Sequence, residues 1–253
     1  MSKEDLWPVW TRAYLPVTQP NYSFARSVLE KDRRLHGTVQ KISGDPKSRR
    51  VKVVCRRCNN NWMSILQNRA KPMLLPLMHG EKSTLNERKQ SIIAAWAAMV
   101  VICAEYIAPG RAAMSVVDRR HLYLHKQAPP RIRIWIGNFR RKNWPAYWCH
   151  NSLLIGPDKA PYPWQIGPGG LPWPNTQMTT LTFGSLYLHA FSCPFPEILG
   201  GFEPRRSHVV QIWPIREKFI VWPPTATIDD RAADGIAGAI FNKLDSIGVA
   251  MGY

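Results

Sequence analysis

The stretch Val51-Lys52-Val53-Val54-Cys55-Arg56-Arg57-Cys58-Asn59-Asn60-Asn61-Trp62-Met63-Ser64 passes from one structural period to another. Arg50–Val54 alternates towards a strand, Cys55-Arg56-Arg57-Cys58 makes a turn, and a helix is expected near Asn60–Ala70. Pro72 and Pro76 are expected to end that helix, since proline removes a helix donor and crowds the preceding turn. One of the three asparagines is expected to cap it. That leaves another free to contact a metal or phosphate in the first turn, where backbone N–H groups favour anions. Trp62 and Met63 read as core.

Charge gathers around this stretch. Lys47, Arg49, Arg50, Lys52, Arg56 and Arg57 fall within eleven positions that contain no acid. The net charge is +17 over 253 residues, and it is unevenly placed. Residues 1–75 hold 15 Lys/Arg against 5 Asp/Glu, and residues 111–142 hold 9 against 1. Residues 76–110 balance at 3 and 3, and residues 143–253 hold 7 against 8. A basic working half and a neutral structural half follow, and a phosphate-rich polymer is the partner such a balance favours. A second cluster, Arg131, Arg133, Arg140, Arg141 and Lys142, is interleaved with Trp135 and Trp144. Cations mixed with aromatic surface suit single strands or distorted duplex.

Residues 1–45 read as irregular around Pro8, Pro16 and Pro20. Downstream, Thr84 and Glu87 have capping-box spacing before a helix expected over Leu85–Tyr106, with Ile92, Trp96, Met99 and Cys103 as its apolar stripe. The apolar run Ile92–Cys103 is too short for a bilayer span and reads as a buried helix, so no membrane partner is expected. After Pro129-Pro130 the period becomes two: Ile132, Ile134 and Ile136 share one face, Arg131, Arg133 and Trp135 the other. Residues 143–175 read as an ordered loop region in which Trp-Pro pairs brace the core. Strands are expected at Thr180–Leu188, Val209–Trp213 and Phe219–Trp222, and a last helix after Asp229-Asp230. The fold class expected is α+β: a basic N-terminal segment (1–80), a central buried helix, and a β-rich C-terminal half (81–253 together) packed with it as one unit. Met1–Trp10 shows no apolar signal run, and the five cysteines (55, 58, 103, 149, 193) form no disulfide framework, which fits a reducing, cytoplasmic setting.

The strand, Cys-x-x-Cys-Asn-Asn-x-Trp-Met-Ser pattern and helix resemble the second half of an HNH (His-Me finger, ββα-metal) endonuclease finger. Ser2-Lys3-Glu4-Asp5 with Pro8 and Trp10 resembles the segment in which bacterial proteins of that kind place a catalytic His. Further similarity runs through Ala70-Lys71-Pro72, Gln90–Ala98 and the Trp-Pro strands near 213 and 222. The resemblance implies a DNA nuclease using Mg²⁺ or a similar ion, with Asp5, Asn59 and Asn61 at the catalytic positions and a basic nucleic-acid-binding surface. It also implies a structural Zn²⁺ held by two Cys-x-x-Cys pairs, of which Cys55 and Cys58 supply one; the other would lie before Ser2, so the zinc site is expected to be incomplete. Asp5 stands where the pattern has His, and a carboxylate is a weak base at neutral pH. Losing a positioned base removes about 10²–10⁴-fold in rate, so activity is expected to be weak or absent. His36 lies nearest in sequence to a substitute and reads as a solvated loop residue. The rival expectations are a DNA- or RNA-binding protein that does not cleave, and a nucleic-acid packaging or assembly protein.

Overall fold

The computed structural model describes residues 2–5, 8–14, 21–29, 35–43, 50–107, 112–140, 148–155, 161–162, 174–195, 197, 203–204, 208–239 and 251–252. The protein is α+β, and its centre is the helix Glu87–Ala104, continued by a 3-10 turn over Glu105–Ile107. Asn86 starts it: the Lys89 N–H donates to Asn86 Oδ1 at 3.0 Å. Thr84, expected as the cap, instead lies in the strand Ser83–Asn86, its carbonyl taken by Lys89 Nζ at 2.9 Å. Every residue from Ile92 to Val101 is buried. A helix apolar on all faces has no surface to give to water, so it must be the core of the domain. Trp96, fully buried, packs against Trp10 (ring centroids 6.1 Å apart) and Phe183 (5.6 Å). Glu87–Ile107 has the length and apolarity of a membrane span, but 78% of its most apolar window is covered by the rest of the protein.

Strands are numbered in chain order: β1 (Ser2–Asp5), β2 (Asn21–Leu29), β3 (Leu35–Ser43), β4 (Arg50–Val54), β5 (Ser83–Asn86), β6 (Ile132–Phe139), β7 (Trp148–Ile155), β8 (Pro161–Tyr162), β9 (Thr176–Phe183), β10 (Leu186–Ser192), β11 (Val210–Trp213), β12 (Phe219–Trp222), β13 (Thr227–Ile228) and β14 (Met251–Gly252). The helices are α1 (Arg56–Cys58), α2 (Ser64–His79), α3 (Glu87–Ala104), α4 (Val116–His125) and α5 (Asp230–Ala237). The main sheet runs β11-β6-β10-β9-β7-β8, with β13 added parallel to β6. Ile132, Ile134 and Ile136 are fully buried in the core that contains α3, as their alternation implies. The other face is also covered. Trp135, Phe139, Met178, Tyr187, Phe191 and Ile228 build a second core with Ala233 of α5. Trp135 is therefore 4% exposed and offers no stacking surface.

One strand expected over Thr180–Leu188 is in fact two, β9 and β10, reversed at Gly184-Ser185. Gly184 has φ 59, the left-handed conformation that opens a two-residue hairpin with Gly in first place. The turn docks on the end of α2, where Ser185 N–H donates to the Met78 carbonyl at 2.8 Å. The region 143–175, read as loop, contains β7. Every residue of β9 is buried, and its threonines are satisfied across the sheet. Thr179 Oγ1 meets His150 Nδ1 at 2.8 Å on one face, and Thr180 Oγ1 meets His189 Nδ1 at 2.8 Å on the other. Burial holds His189 neutral, its pKa pushed down to about 3.

At the N-terminal end, β1 pairs antiparallel with β4, and β2 with β3, so residues 1–45 are not irregular as expected. No proline falls between Asn21 and Ser43 to interrupt that pairing. From β4 the chain enters a helical run that begins at Arg56 and continues to His79. Pro72 and Pro76 do not end it. They lie one turn apart, and the carbonyls deprived of donors belong to Asn68 and Pro72, both exposed residues that water can reach. Val51, Met63, Leu66, Ala70, Leu74 and Leu77 join the same core as α3.

Two glycines give opposite expected outcomes. A Cβ on Gly184 would lie 2.4 Å from the Met78 carbonyl oxygen at a positive φ. Gly184→Ala should therefore cost about 2 kcal/mol or more. Gly235, inside α5, has open space around its Cβ position, so Gly235→Ala should add about 0.5–1 kcal/mol. Urea unfolding midpoints of the two variants, shifted in opposite directions, check both.

Candidate nucleic-acid interface

The residues that end β4 and begin the helical run form one exposed corner. Cys55, extended at φ −75 and ψ 153, is the N-cap: Cys58 N–H donates to its Sγ at 3.2 Å, and Asn59 N–H donates to its carbonyl at 3.0 Å. The asparagines therefore do not cap. They lie one turn inside, in a π-helical stretch Asn59–Met63 where Ser64 N–H reaches back to the Asn59 carbonyl. Arg56, Arg57, Asn60 and Asn61 are exposed, and Asn59 is half-buried. Met63 is core as expected, whereas Trp62 is only half-buried. Its ring stands edge-on to Tyr123, centroids 6.1 Å apart at 74°. Lys126 Nζ lies over both rings, 4.8 Å from the Trp62 centroid and 4.3 Å from that of Tyr123.

Tyr123 and Lys126 belong to α4 and its cap. Ser115 starts α4 by accepting from Asp118 N–H at 3.1 Å, while its own hydroxyl donates to Asp118 Oδ2 at 2.6 Å. The approach to α4 is fixed by Glu105, fully buried, whose Oε1 accepts from Ala113 N–H (3.0 Å) and Met114 N–H (3.1 Å). Burial raises the Glu105 pKa to about 8 despite those two donors. Arg119 is committed to the scaffold, its Nη2 donating to the Met114 carbonyl at 2.7 Å and its guanidinium set 5.4 Å from the Tyr106 ring centroid. Arg120, Tyr123 and His125 are exposed. Lys126 ends α4 at φ 56, a left-handed conformation that non-glycine residues seldom adopt.

Of the residues expected to form a site, Arg50, Lys52, Arg56 and Arg57 are exposed on β4 and the helix start. Lys47 and Arg49 lie outside the described residues, as do Arg141, Lys142 and Trp144. The second basic cluster is dispersed. Arg131 and Arg140 are exposed, but Arg133 pairs with Glu203, which also takes Arg216 Nη2 at 3.3 Å. Asp5 is placed by backbone register opposite Arg50, while Ser2 faces Val54. Asp5 thus lies at the end of the hairpin away from the helix start that carries Asn59 and Asn61. His36 falls in β3, paired with Val28.

None of the five cysteines is in a disulfide. Hydrogen bonding from the Cys58 N–H and thiol lowers the Cys55 pKa, and burial first, then the Cys55 contact, raises that of Cys58. Among the described residues no three His, Cys, Asp or Glu side chains gather as a metal site. The site residues that sequence reasoning missed are those of α4. Their signal is present in Arg119-Arg120-His121-Leu122-Tyr123-Leu124-His125-Lys126, where Tyr123 and Lys126 have helical spacing. The basic excess of 111–142 had pointed instead to residues 131–142, where the cations cluster most densely. No family model, curated protein or solved structure matches the chain.

Glu105 gives this corner a pH dependence. Its folded pKa, about 8, lies above its ordinary value of 4.5, so the folded state binds the extra proton between those values. The contribution is fully present below about pH 4.5 and is lost as pH rises through 8. The thermal midpoint should fall from pH 5 to pH 9, and Glu105→Gln, which keeps the acceptor without the charge, should flatten that fall. Melting curves at three pH values check this.

Proposed function

We propose that this chain binds nucleic acid, DNA in preference to RNA, through the corner formed by Arg56, Arg57, Asn60, Asn61, Trp62, Tyr123 and Lys126. We further propose that β1, β4 and the helical run after them are an HNH-endonuclease-like finger, which would make the protein a metal-dependent DNA nuclease or an attenuated derivative of one. The observation that carries the binding reading is the joining of exposed cations and a two-ring aromatic platform at the positive end of a helical run. An antiparallel pair of strands, β1 with β4, the second of which leads into a helix, matches the strand-strand-helix arrangement of the finger, although β2 and β3 intervene in the chain, and it supports the second reading. A cytoplasmic setting is part of the proposal and is supported by the free thiols.

One observation favours binding or packaging without cleavage. Carboxylate and amide oxygens suit a hard ion such as Mg²⁺. Yet Asp5 and the helix start lie at opposite ends of β4, about 13 Å of strand apart at 3.3 Å per residue. Backbone placement alone does not bring Asp5, Asn59 and Asn61 to one ion, and a hydrolytic step would need them there.

Binding to labelled duplex should be weakly sequence-dependent and should weaken steeply with salt, by about 10³-fold between 50 and 200 mM if six phosphates are neutralised. Arg56→Ala with Arg57→Ala should lower the slope of log affinity against log salt by about 2. A flat salt response sinks the binding reading. Incubation of supercoiled plasmid with Mg²⁺, Mn²⁺ or EDTA separates the two versions: metal-dependent nicking supports the nuclease, and binding without nicking supports the non-catalytic form.

A further inference from the structure

We propose that Cys55 and Cys58 are a redox-active dithiol that exchanges with disulfides, with Cys55 as the attacking thiol and Cys58 as the resolving thiol. This role is separate from nucleic-acid binding and does not rest on it.

The geometry favours that division of roles. Cys55 is exposed on the N-cap, while Cys58 is half-buried one turn further on. An incoming disulfide can therefore reach the first sulfur more easily than the second. The Cys55 sulfur, though exposed, already lies 3.2 Å from the Cys58 backbone nitrogen, beside its partner residue. Asn59 N–H donates to the Cys55 carbonyl at 3.0 Å, so the chain closes a turn around the pair and keeps the two cysteines adjacent. The other thiols are differently placed: Cys103 and Cys193 are buried, and Cys149 sits in β7.

The exchange balances with a low-molecular-weight disulfide such as oxidised glutathione as oxidant. The Cys55 sulfur attacks one sulfur of that disulfide, its S–S bond breaks, and the first thiol leaves. The Cys58 sulfur then attacks Cys55 Sγ, breaks the mixed disulfide and releases the second thiol. One S–S bond forms within the protein and one is lost from the substrate, and the two protein thiol protons go to the two released thiols.

The test equilibrates the intact protein in glutathione buffers of graded oxidised-to-reduced ratio, traps free thiols with an alkylating reagent, and reads mass and peptide map. Two thiols should be lost together, both mapped to Cys55 and Cys58, over a narrow range of ratio. Cys58→Ser should accumulate a glutathione adduct on Cys55 at least tenfold above that on Cys58 in Cys55→Ser. Failure to form the Cys55–Cys58 disulfide at any ratio overturns the proposal. So does a tightly held zinc found by elemental analysis that keeps both thiols from the reagent. Equal adduct formation on the two single variants also overturns it, because the roles would then not be distinct. Each readout is a thiol state, so the outcome is independent of whether the protein binds or cleaves DNA.

Discussion

From Ile92 to Val101 the helix α3 has no residue that tolerates water, and a helix of this kind must be enclosed on every side. The remaining elements meet that demand in turn. The isoleucines of β6 and the leucines of β9 and β10 cover one flank, α2 another, and Val51 of β4 with the Trp10 ring a third. Burying Trp96 alone is worth about 3–5 kcal/mol by the usual cost of truncating such a side chain, so the arrangement around it has little freedom to slide. Polar side chains occur at its ends, and they make long-range backbone contacts. Gln90 donates to the carbonyls of Leu85 (3.2 Å) and Glu217 (2.8 Å), tying β5 and the approach to β12 to the first turn. Glu105 holds the segment that begins α4.

Through those ends the core determines where the surface site stands. β4 is fixed by Val51 in the core, so the turn at Cys55 emerges at a set place beside α3. Glu105 fixes the approach to α4, and the last turn of α4 brings Tyr123 and Lys126 against Trp62. Two segments some sixty residues apart in the chain thus meet because both are anchored to the same helix. A corner that is exposed but rigidly supported from below can present cations in a fixed pattern, which lessens the ordering cost of recognition.

What was legible in the sequence was what depends on local period. The apolar helix, the Ile132–Ile136 alternation and the acidic cap at Asp229 all occur in the structure where the residues place them. What was not legible depends on tertiary cover. Arg131-Ile132-Arg133-Ile134-Trp135 has the pattern of a half-exposed strand, yet α5 and Glu203 bury or neutralise much of its second face. Pro72 and Pro76 are helix breakers by local rule, but a helix held by Ala70, Leu74 and Leu77 in the core continues past them. Asparagine is the expected N-cap because its amide oxygen accepts better than sulfur. Cys55 takes that role because β4 delivers the chain to the helix one turn earlier. The site was half visible: Arg56 and Arg57 from their run of charge, whereas Tyr123 and Lys126 showed only a helical spacing with nothing local to set them beside Trp62.

Three departures from local preference coincide at this corner. Arg56 and Arg57 stand in the first turn of a helical run, a turn that contains no acid, where the helix dipole disfavours cations by about 0.3–1 kcal/mol each. Asn59–Met63 is wound as a π-turn, a rare geometry that is frequent at functional sites. Lys126 adopts a left-handed conformation that costs about 1–2 kcal/mol in any residue with a Cβ. The Lys126 conformation ends α4, its N–H donating to the Leu122 carbonyl at 2.9 Å, while α3 takes its cover from other side chains. Local preferences are satisfied consistently where folding is the only demand and broken where a site imposes another. On the proposed nucleic-acid reading, a phosphate beside Arg56 and Arg57 would relieve the first departure directly, by offsetting their charge. On the proposed reading the two exposed arginines of this corner have charge to offer a phosphate, whereas the charge of Arg133 is already met by Glu203.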